Sequence, residues 1–231
     1  MAKKLIINAD DMGLREAVNR GIITAHKNGV VTSVSVFAEG EGVADAVRIL
    51  KENPSLGVGI HLNLDKFFVI DHGRGVASGY ATPKPSAEEI KSEIYRQLDI
   101  FRSFDLPVAC DHIDSHHHTH LEPEIFPLVA DAAKDRGITF VRLPAKLFPD
   151  YSVFEGLKKI LDERGLRCID HFIEGWYWGN VDENYTIAEL LTHPGYGELW
   201  REAELAHCCQ PQLKSYFAEQ KIDVIRFSDI K

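Results

Sequence analysis

The sequence predicts one α/β domain over residues 1–231, a (β/α) barrel of the distorted TIM-barrel type with seven or eight strands. Three observations point to it. Short apolar runs alternate with longer stretches of helical periodicity almost from end to end, the pattern of successive βα units around a parallel sheet. At 231 residues the chain is within the range of an undivided barrel, and no shift in composition divides it. No Gly-x-Gly-x-x-Gly fingerprint follows a strand and no Walker A motif is present, which argues against a doubly wound nucleotide fold.

Taken in order, Leu5-Ile6-Ile7 reads as a buried strand, and Glu16 to Lys27 as a helix that stops at Gly29. Ser33 to Phe37 alternates β-branched residues as a strand does; Val43 to Lys51 is helical, with Val43, Ala46, Val47 and Leu50 on one face. Gly57 to Leu64 is the third strand. Lys66 to Pro85 breaks the rhythm and reads as a long loop, the kind that serves as a lid or binding loop. Ser86 with Glu89 forms a capping-box pattern that opens a helix reaching about Phe104. His112 to Ser115 follows as a strand, then a helix from Pro123 to Gly137, a strand at Phe140 to Leu143, a helix at Phe154 to Arg164 and a strand at Cys168 to Ile173. Ile187 to Thr192 fits strand or helix, Leu199 to Cys209 is helical, and Val224 to Phe227 is a closing strand.

Composition narrows the function. The formal net charge of −9 argues against nucleic-acid binding, which relies on cationic side chains neutralising phosphates, and against a basic membrane-surface protein. No stretch reaches the ~18 apolar residues of a membrane span, and the run behind Met1 is too short for a signal peptide. Cys110, Cys168, Cys208 and Cys209 form no Cys-x-x-Cys pair or disulfide framework, which fits a reducing, cytoplasmic setting. Adjacent Cys208 and Cys209 read as small, partly buried residues of a helix.

Histidine is the anomaly. Five of the 11 histidines fall between His112 and His120, and imidazole is the side chain most often recruited as metal ligand or proton carrier. In parallel α/β folds the chemistry gathers at the carboxyl ends of the strands. Asn8-Ala9-Asp10-Asp11 ends the first strand; neighbouring carboxylates on an extended chain point in different directions, so one can bind a cation while the other handles a proton, unless one simply caps the next helix. His61 ends the third strand, and His112, Asp114 and His116 share a face if the fourth strand continues that far. Asp11, His61 and one cluster histidine would supply the three protein ligands of an open mononuclear metal site. Arg142 at another strand end can orient a carboxylate or bind substrate, with a surface ion pair as the alternative. His193, before Pro194-Gly195, can be a general acid or a structural turn residue. Trp176, Tyr177 and Trp178 can stack on a sugar or pack a loop.

Asn8-Ala9-Asp10-Asp11-Met12-Gly13, Gly29-Val30-Val31-Thr32-Ser33, Gly59-Ile60-His61-Leu62-Asn63-Leu64, His112-Ile113-Asp114-Ser115-His116-His117-His118-Thr119-His120 and Leu190-Leu191-Thr192-His193-Pro194-Gly195 occur in this order along the chain. Together they resemble the YdjC-like carbohydrate deacetylases, which include chitooligosaccharide deacetylases. The resemblance implies a deacetylase barrel with one divalent metal ion, Mg2+ or Zn2+, on Asp11, His61 and His116. It implies Asp10 as general base, His193 as general acid and Arg142 as the arginine that orients the base. His118 and His120 would contact substrate, orient neighbours or support the loop. The implied partner is an N-acetylated sugar or oligosaccharide, with no nucleic acid or membrane, and family members are often homodimers. The segment Lys66 to Pro85 is short beside that of larger members, which bears on the identity of the sugar.

The implied chemistry is coherent: Asp10 takes a proton from a metal-activated water that attacks the acetamide, and His193 protonates the departing amine. Two other readings compete, a metal-dependent phosphoesterase and a non-catalytic sugar- or metal-binding protein. Two tightly bound metal equivalents would favour the first, and absence of turnover the second.

Overall fold

The opening strand runs further than its apolar residues alone: β1 spans Lys3–Met12 and carries Asp10 and Asp11 inside it. Buried flanks explain the extension, because β9 and β2 pair with β1 on either side and satisfy its backbone as far as Met12. The computed structural model describes residues 3–71, 76–169, 171–175 and 181–231. After β1 come α1 (Glu16–Lys27), β2 (Ser33–Phe37), α2 (Val43–Glu52), β3 (Gly57–Leu62), β4 (Phe68–Asp71), β5 (Val76–Tyr80) and α3 (Ala87–Arg102). They are followed by β6 (Cys110–Ser115), α4 (Phe126–Arg136), β7 (Phe140–Val141), α5 (Tyr151–Arg164) and β8 (His171–Glu174). The last third contains β9 (Ile187–Thr192), α6 (Leu199–Cys208), α7 (Gln212–Glu219) and β10 (Ile222–Ile225).

Eight strands form one parallel sheet in the order β7-β6-β3-β2-β1-β9-β8, with β10 added beside β1. Lys3 to Ile6 of β1 pair with β10, whereas Asn8 to Met12 pair with β2, so the final strand sits below β2. It completes the lower edge of β1 and does not join the ends of the sheet. The curl is shown by a side-chain contact. β7 and β9 lie five strands apart, roughly 24 Å in a flat sheet at about 4.8 Å per strand, yet Arg142, just after β7, donates from Nε to Glu189 Oε1 on β9 at 2.7 Å. The sheet is therefore a distorted, partly open barrel; among the described residues, β7 and β8 share no ladder, and only Phe140 bridges to Arg167 between them.

Helices cover the outside, α1 beside α2 and α6, and α4 between α3 and α5. Their starts and stops follow local chemistry. Ser86 and Glu89 form the expected capping box of α3, and Gly137 and Gly165 end α4 and α5 in the left-handed conformation that glycine adopts without strain. The strands of the centre are buried on both faces, as parallel sheets flanked by helices require, with Leu5, Ile7, Val34, Val36, Ile60 and Ile113 inaccessible to solvent. Each such side chain contributes about 1.5–3 kcal/mol relative to exposure.

Several expectations need correcting. Lys66 to Pro85 is not structureless: β4 and β5 form an antiparallel hairpin there, closed by Phe68 stacked on Tyr80 at 4.9 Å. Its short, largely exposed strands lack the clear alternation that marks a half-buried strand. Pro123 lies outside α4, which begins at Phe126 with Pro127 in its first turn. The ambiguous Ile187 to Thr192 is a strand, and α7 is an element that the apolar pattern did not reveal. Trp176, Tyr177 and Trp178 lie outside the described residues.

Candidate active site

The two consecutive aspartates are separated by a β-bulge. Ala9 pairs with Val34 and Met12 with Val36, so β1 inserts one extra residue, and Asp11 takes a left-handed φ of 72°. That irregularity sends the two carboxylates to different partners. Arg142 clamps Asp10, Nη1 to Oδ2 at 2.6 Å and Nη2 to Oδ1 at 2.8 Å, and Asn8 Nδ2 donates to Oδ1 at 2.7 Å. Arg201, on α6, donates from Nη2 to Asp11 Oδ2 at 2.6 Å. Asp11 Oδ1 is buried and has no hydrogen-bond partner among the described residues.

That unpaired oxygen faces two imidazoles. His61 Nε2 lies 3.4 Å away and His116 Nδ1 3.2 Å away. Donor atoms sharing a tetrahedral ion at ~2.0–2.2 Å stand roughly 3.3–3.5 Å apart, so this trio has the spacing of a metal site. Parallel pairing sets His61 opposite Asp114, whose Oδ1 accepts from His61 Nδ1 at 2.7 Å and turns Nε2 toward Asp11. Phe37, at the end of β2, packs edge-on against both rings, 4.9 Å from His61 and 5.2 Å from His116. Two other trios gather carboxylate and imidazole atoms, Asp10 with His61 and Asp114, and Asp65 with His116 and His117. In the first, Arg142 hydrogen-bonds both oxygens of Asp10. In the second, His117 Nδ1 is bonded to Asp65 Oδ2 at 2.9 Å.

Charge is concentrated around Arg142. Its guanidinium meets Asp10, Asp114 and Glu189, each within 2.6–2.8 Å, in a site closed to solvent. Burial opposes the Arg142 charge, but the three carboxylates outweigh it and hold its pKa well above the usual value. Burial likewise pushes the Asp114 carboxyl upward, yet Arg142 and His61 bring it far below its ordinary range. Glu189 ends on the raised side, because burial there exceeds the help from Arg142. For His61, burial disfavours the imidazolium, but the charges of Asp114 and Asp10, the nearby Asp11 carboxylate and the hydrogen bond to Asp114 lift its pKa to about 10.

His193 follows β9 on the same rim. Its backbone N–H and the Thr192 hydroxyl both donate to Glu204 Oε2 at 2.6 Å, and its Nδ1 faces Glu204 Oε1 at 3.8 Å. Burial works against protonation, but Glu204 and the charges of Asp11 and Asp10 raise the pKa of the ring. Glu204 and Arg201 are three residues apart on α6, so one helix supports both His193 and Asp11.

The histidine cluster divides. His112 belongs to the strand and packs on Phe227 with ring centroids 4.1 Å apart, away from His116. His112 and Asp114 share a face, since both reach Ser35 Oγ, while the chain turns after Ser115 and His117 and His118 adopt left-handed φ values of 52° and 54°. His120 is inaccessible: Nε2 donates to the Arg142 carbonyl at 2.9 Å and Nδ1 accepts from Ser115 Oγ at 2.6 Å. Burial lowers its pKa to about 4, so the ring is neutral and supports the Arg142 carbonyl. Burial and the Arg142 charge also keep His118 neutral, near Phe172.

The structure thus brings Asp10, Asp11, His61, His116, Arg142 and His193 to one end of the barrel. Asp114, which the sequence placed on one face with His112 and His116 without giving it a role, completes the site together with Glu189, Arg201 and Glu204, which were not singled out from sequence. Asp114 carried a usable signal, its place between His112 and His116. Glu189 carried a fainter one, as a charge inside an apolar strand. Arg201 and Glu204, on an amphipathic helix, carried none.

Comparison with known proteins agrees with this architecture. The family model described as YdjC-like protein matches residues 4–219. A carbohydrate deacetylase of Brevibacillus brevis is 33% identical over 98% of this chain and 99% of its own length. A chitooligosaccharide deacetylase of Proteus mirabilis is 29% identical over the full length of both. These alignments run to 257 and 263 positions against 231 residues here, so both relatives contain segments that this chain lacks. Among solved structures, an Enterococcus faecalis V583 protein named for cellobiose-phosphate cleavage superposes with a TM-score of 0.79 at 22% identity, covering 100% of this chain and 99% of its own. The Xyl-CE4 domain of a xylanase from the Trinervitermes trinervoides hindgut metagenome shares the fold at a TM-score of 0.53 and 8% identity, over 99% of this chain and 89% of its own. With the family match extending from β1 through α7, the chain belongs to the YdjC-like protein family.

Proposed function

We propose that this protein is a carbohydrate N-deacetylase. It removes acetyl groups from N-acetylated sugars of the chitooligosaccharide type with one divalent cation, Mg2+ or Zn2+, held by Asp11, His61 and His116. The observation that carries the reading is the unequal treatment of two adjacent carboxylates. Arg142 occupies both oxygens of Asp10, whereas Asp11 keeps one buried oxygen free toward two imidazoles. The names borne by the relatives, carbohydrate deacetylase and chitooligosaccharide deacetylase, support the substrate class.

A divalent cation on that trio would supply Lewis-acid polarisation of the amide carbonyl and acidify a water. Asp10 is the base. A carboxylate has about four lone-pair positions, so with Arg142 on both oxygens it still accepts a proton from the attacking water. Arg142 fixes its orientation, and His120 beneath fixes the backbone of Arg142. His193 is the acid: its raised pKa keeps a proton available for the leaving amine, since an amide anion is too poor a leaving group to depart unaided. Positioned acid–base groups of this kind contribute about 10²–10⁴ each.

The deciding experiment measures acetate released from N-acetylglucosamine and N-acetylated chitooligosaccharides by metal-stripped and reconstituted protein. Activity absent after stripping and restored by one equivalent supports the reading; a loaded protein that releases no acetate from any of them overturns it. The trio of Asp65, His116 and His117 gives a metal-dependent phosphoesterase some footing, because it is a second ligand set beside the first. Two tightly held equivalents together with phosphate release would favour that alternative.

A further inference from the structure

Trp200 is the second residue of α6 and stands at the mouth of the site. Its ring lies 5.7 Å from that of His193, edge to face at 65°, and the Arg201 guanidinium sits 4.2 Å from the indole centroid on one face. Arg201 is itself fastened by Asp11 Oδ2 at 2.6 Å and Glu198 Oε2 at 2.8 Å, so the support under the indole is rigid. Even so, 47% of Trp200 is accessible although the guanidinium covers one face of the indole, which leaves the other face without a partner among the described contacts. An indole backed by a fixed guanidinium and left about half accessible is an apolar surface whose folded-state packing is incomplete.

We propose that the open face of Trp200 is the stacking platform for the pyranose ring that carries the scissile acetamide. The inference rests on the deacetylase reading and specifies how that site seats its sugar. A pyranose presents a face of C–H groups, slightly positive, that complements the negative face of an indole, while its hydroxyls stay in water at the rim. The neighbouring His193 explains the location. The group that protonates the leaving nitrogen must lie beside the ring bearing it, and the indole touches that imidazole. The cation beneath keeps the indole in place by attraction to the covered face.

The test combines binding with turnover. Wild-type protein, Trp200→Ala, Trp200→Leu and Trp200→Tyr are titrated with the non-acetylated glucosamine disaccharide while tryptophan emission is followed, and KM and kcat are measured on the N-acetylated disaccharide. The proposal expects an emission change in wild type that vanishes in Trp200→Ala and Trp200→Leu. It expects KM to rise at least about tenfold in both, the scale of a lost ring-stacking contact, with kcat altered far less. Trp200→Tyr, which keeps a flat ring, should recover most of KM. The Leu variant keeps apolar cover over Arg201, so a folded, metal-retaining Trp200→Leu with KM within twofold of wild type overturns the proposal. A fall in kcat at unchanged KM also overturns it, because that would mean Trp200 acts only by supporting Arg201. Failure of the deacetylase reading is separate: wild type would release no acetate, whether or not the disaccharide changes tryptophan emission.

Discussion

Arg201 donates to Asp11 Oδ2 at 2.6 Å, and this hydrogen bond leaves Asp11 Oδ1 as the carboxylate atom that faces His61 and His116. The arrangement mirrors, with one difference, the pairing of Arg142 with Asp10. One guanidinium takes both oxygens of its aspartate and the other takes only one. Adjacent residues of identical chemistry are thereby given different hydrogen-bonding environments by arginines that lie 132 and 190 residues away in sequence.

Replacing Arg201 by Met is expected to destabilise the metal-free protein by about 3–5 kcal/mol, since it strips a buried carboxylate of its cation. Metal affinity should fall as well, because Asp11 is no longer held in one orientation. Urea unfolding with and without added Zn2+ measures both effects. A change below about 1 kcal/mol with unaltered metal binding would show that Asp11 needs no such support.

Asp10→Asn should abolish acetate release, by a factor of about 10² or more, with one metal equivalent retained. His116→Ala should lose metal and activity together. Metal analysis after gel filtration, paired with the acetate assay, separates the two classes. Full activity in Asp10→Asn would remove that residue from the role of base.

The pH dependence of the metal-free protein follows from His61. Its folded pKa of about 10 lies above the ~6.5 of an unfolded imidazole. The stability from its ion pairs is therefore complete below pH ~6.5 and is lost as pH rises through about 10. Thermal melts of metal-free protein should show this decline, and melts of metal-loaded protein should not, because the coordinated ring is already neutral. Metal uptake near pH 7 should release about one proton, measurable by calorimetry in buffers of different ionisation enthalpy. No proton release would contradict the protonated state of His61.

Gly21→Ala tests the packing behind His193. A Cβ at Gly21 would overlap the backbone of Gly195, in the turn that follows His193, and backbone has no rotamer with which to escape. The variant should lose at least about 1–3 kcal/mol of stability, and kcat should fall as that turn is displaced. Denaturant midpoints and the acetate assay check the two parts; a neutral outcome would mean that α1 and the turn separate at no cost.

Much of the barrel was legible because its signals are local. The strand Ser33–Phe37 and the helix Glu16–Lys27 occur where periodicity puts them, and Ser86 with Glu89 caps α3 through atoms three residues apart. The hairpin at Phe68–Tyr80 was not legible, because its strands are short and its closing contact joins residues twelve apart. At the site, the histidine run announced itself by density, yet density overstated its direct role. His112 stacks on Phe227 and His120 props the Arg142 carbonyl, each a packing function that residue type alone does not distinguish from ligation.

By itself, then, the sequence determined the alternation of strands and helices and the supply of carboxylates and imidazoles at strand ends, since both depend on neighbours along the chain. Which aspartate keeps an unpaired oxygen, the pairing of His61 with Asp114 and the support of His193 by Glu204 were decided only in the tertiary structure. The physical reason is that hydrogen bonding and burial determine which oxygen or nitrogen is left free. In this protein the partners that do so come from β6, the residue after β7 and α6, brought together with the bulged end of β1 by the curl of the sheet.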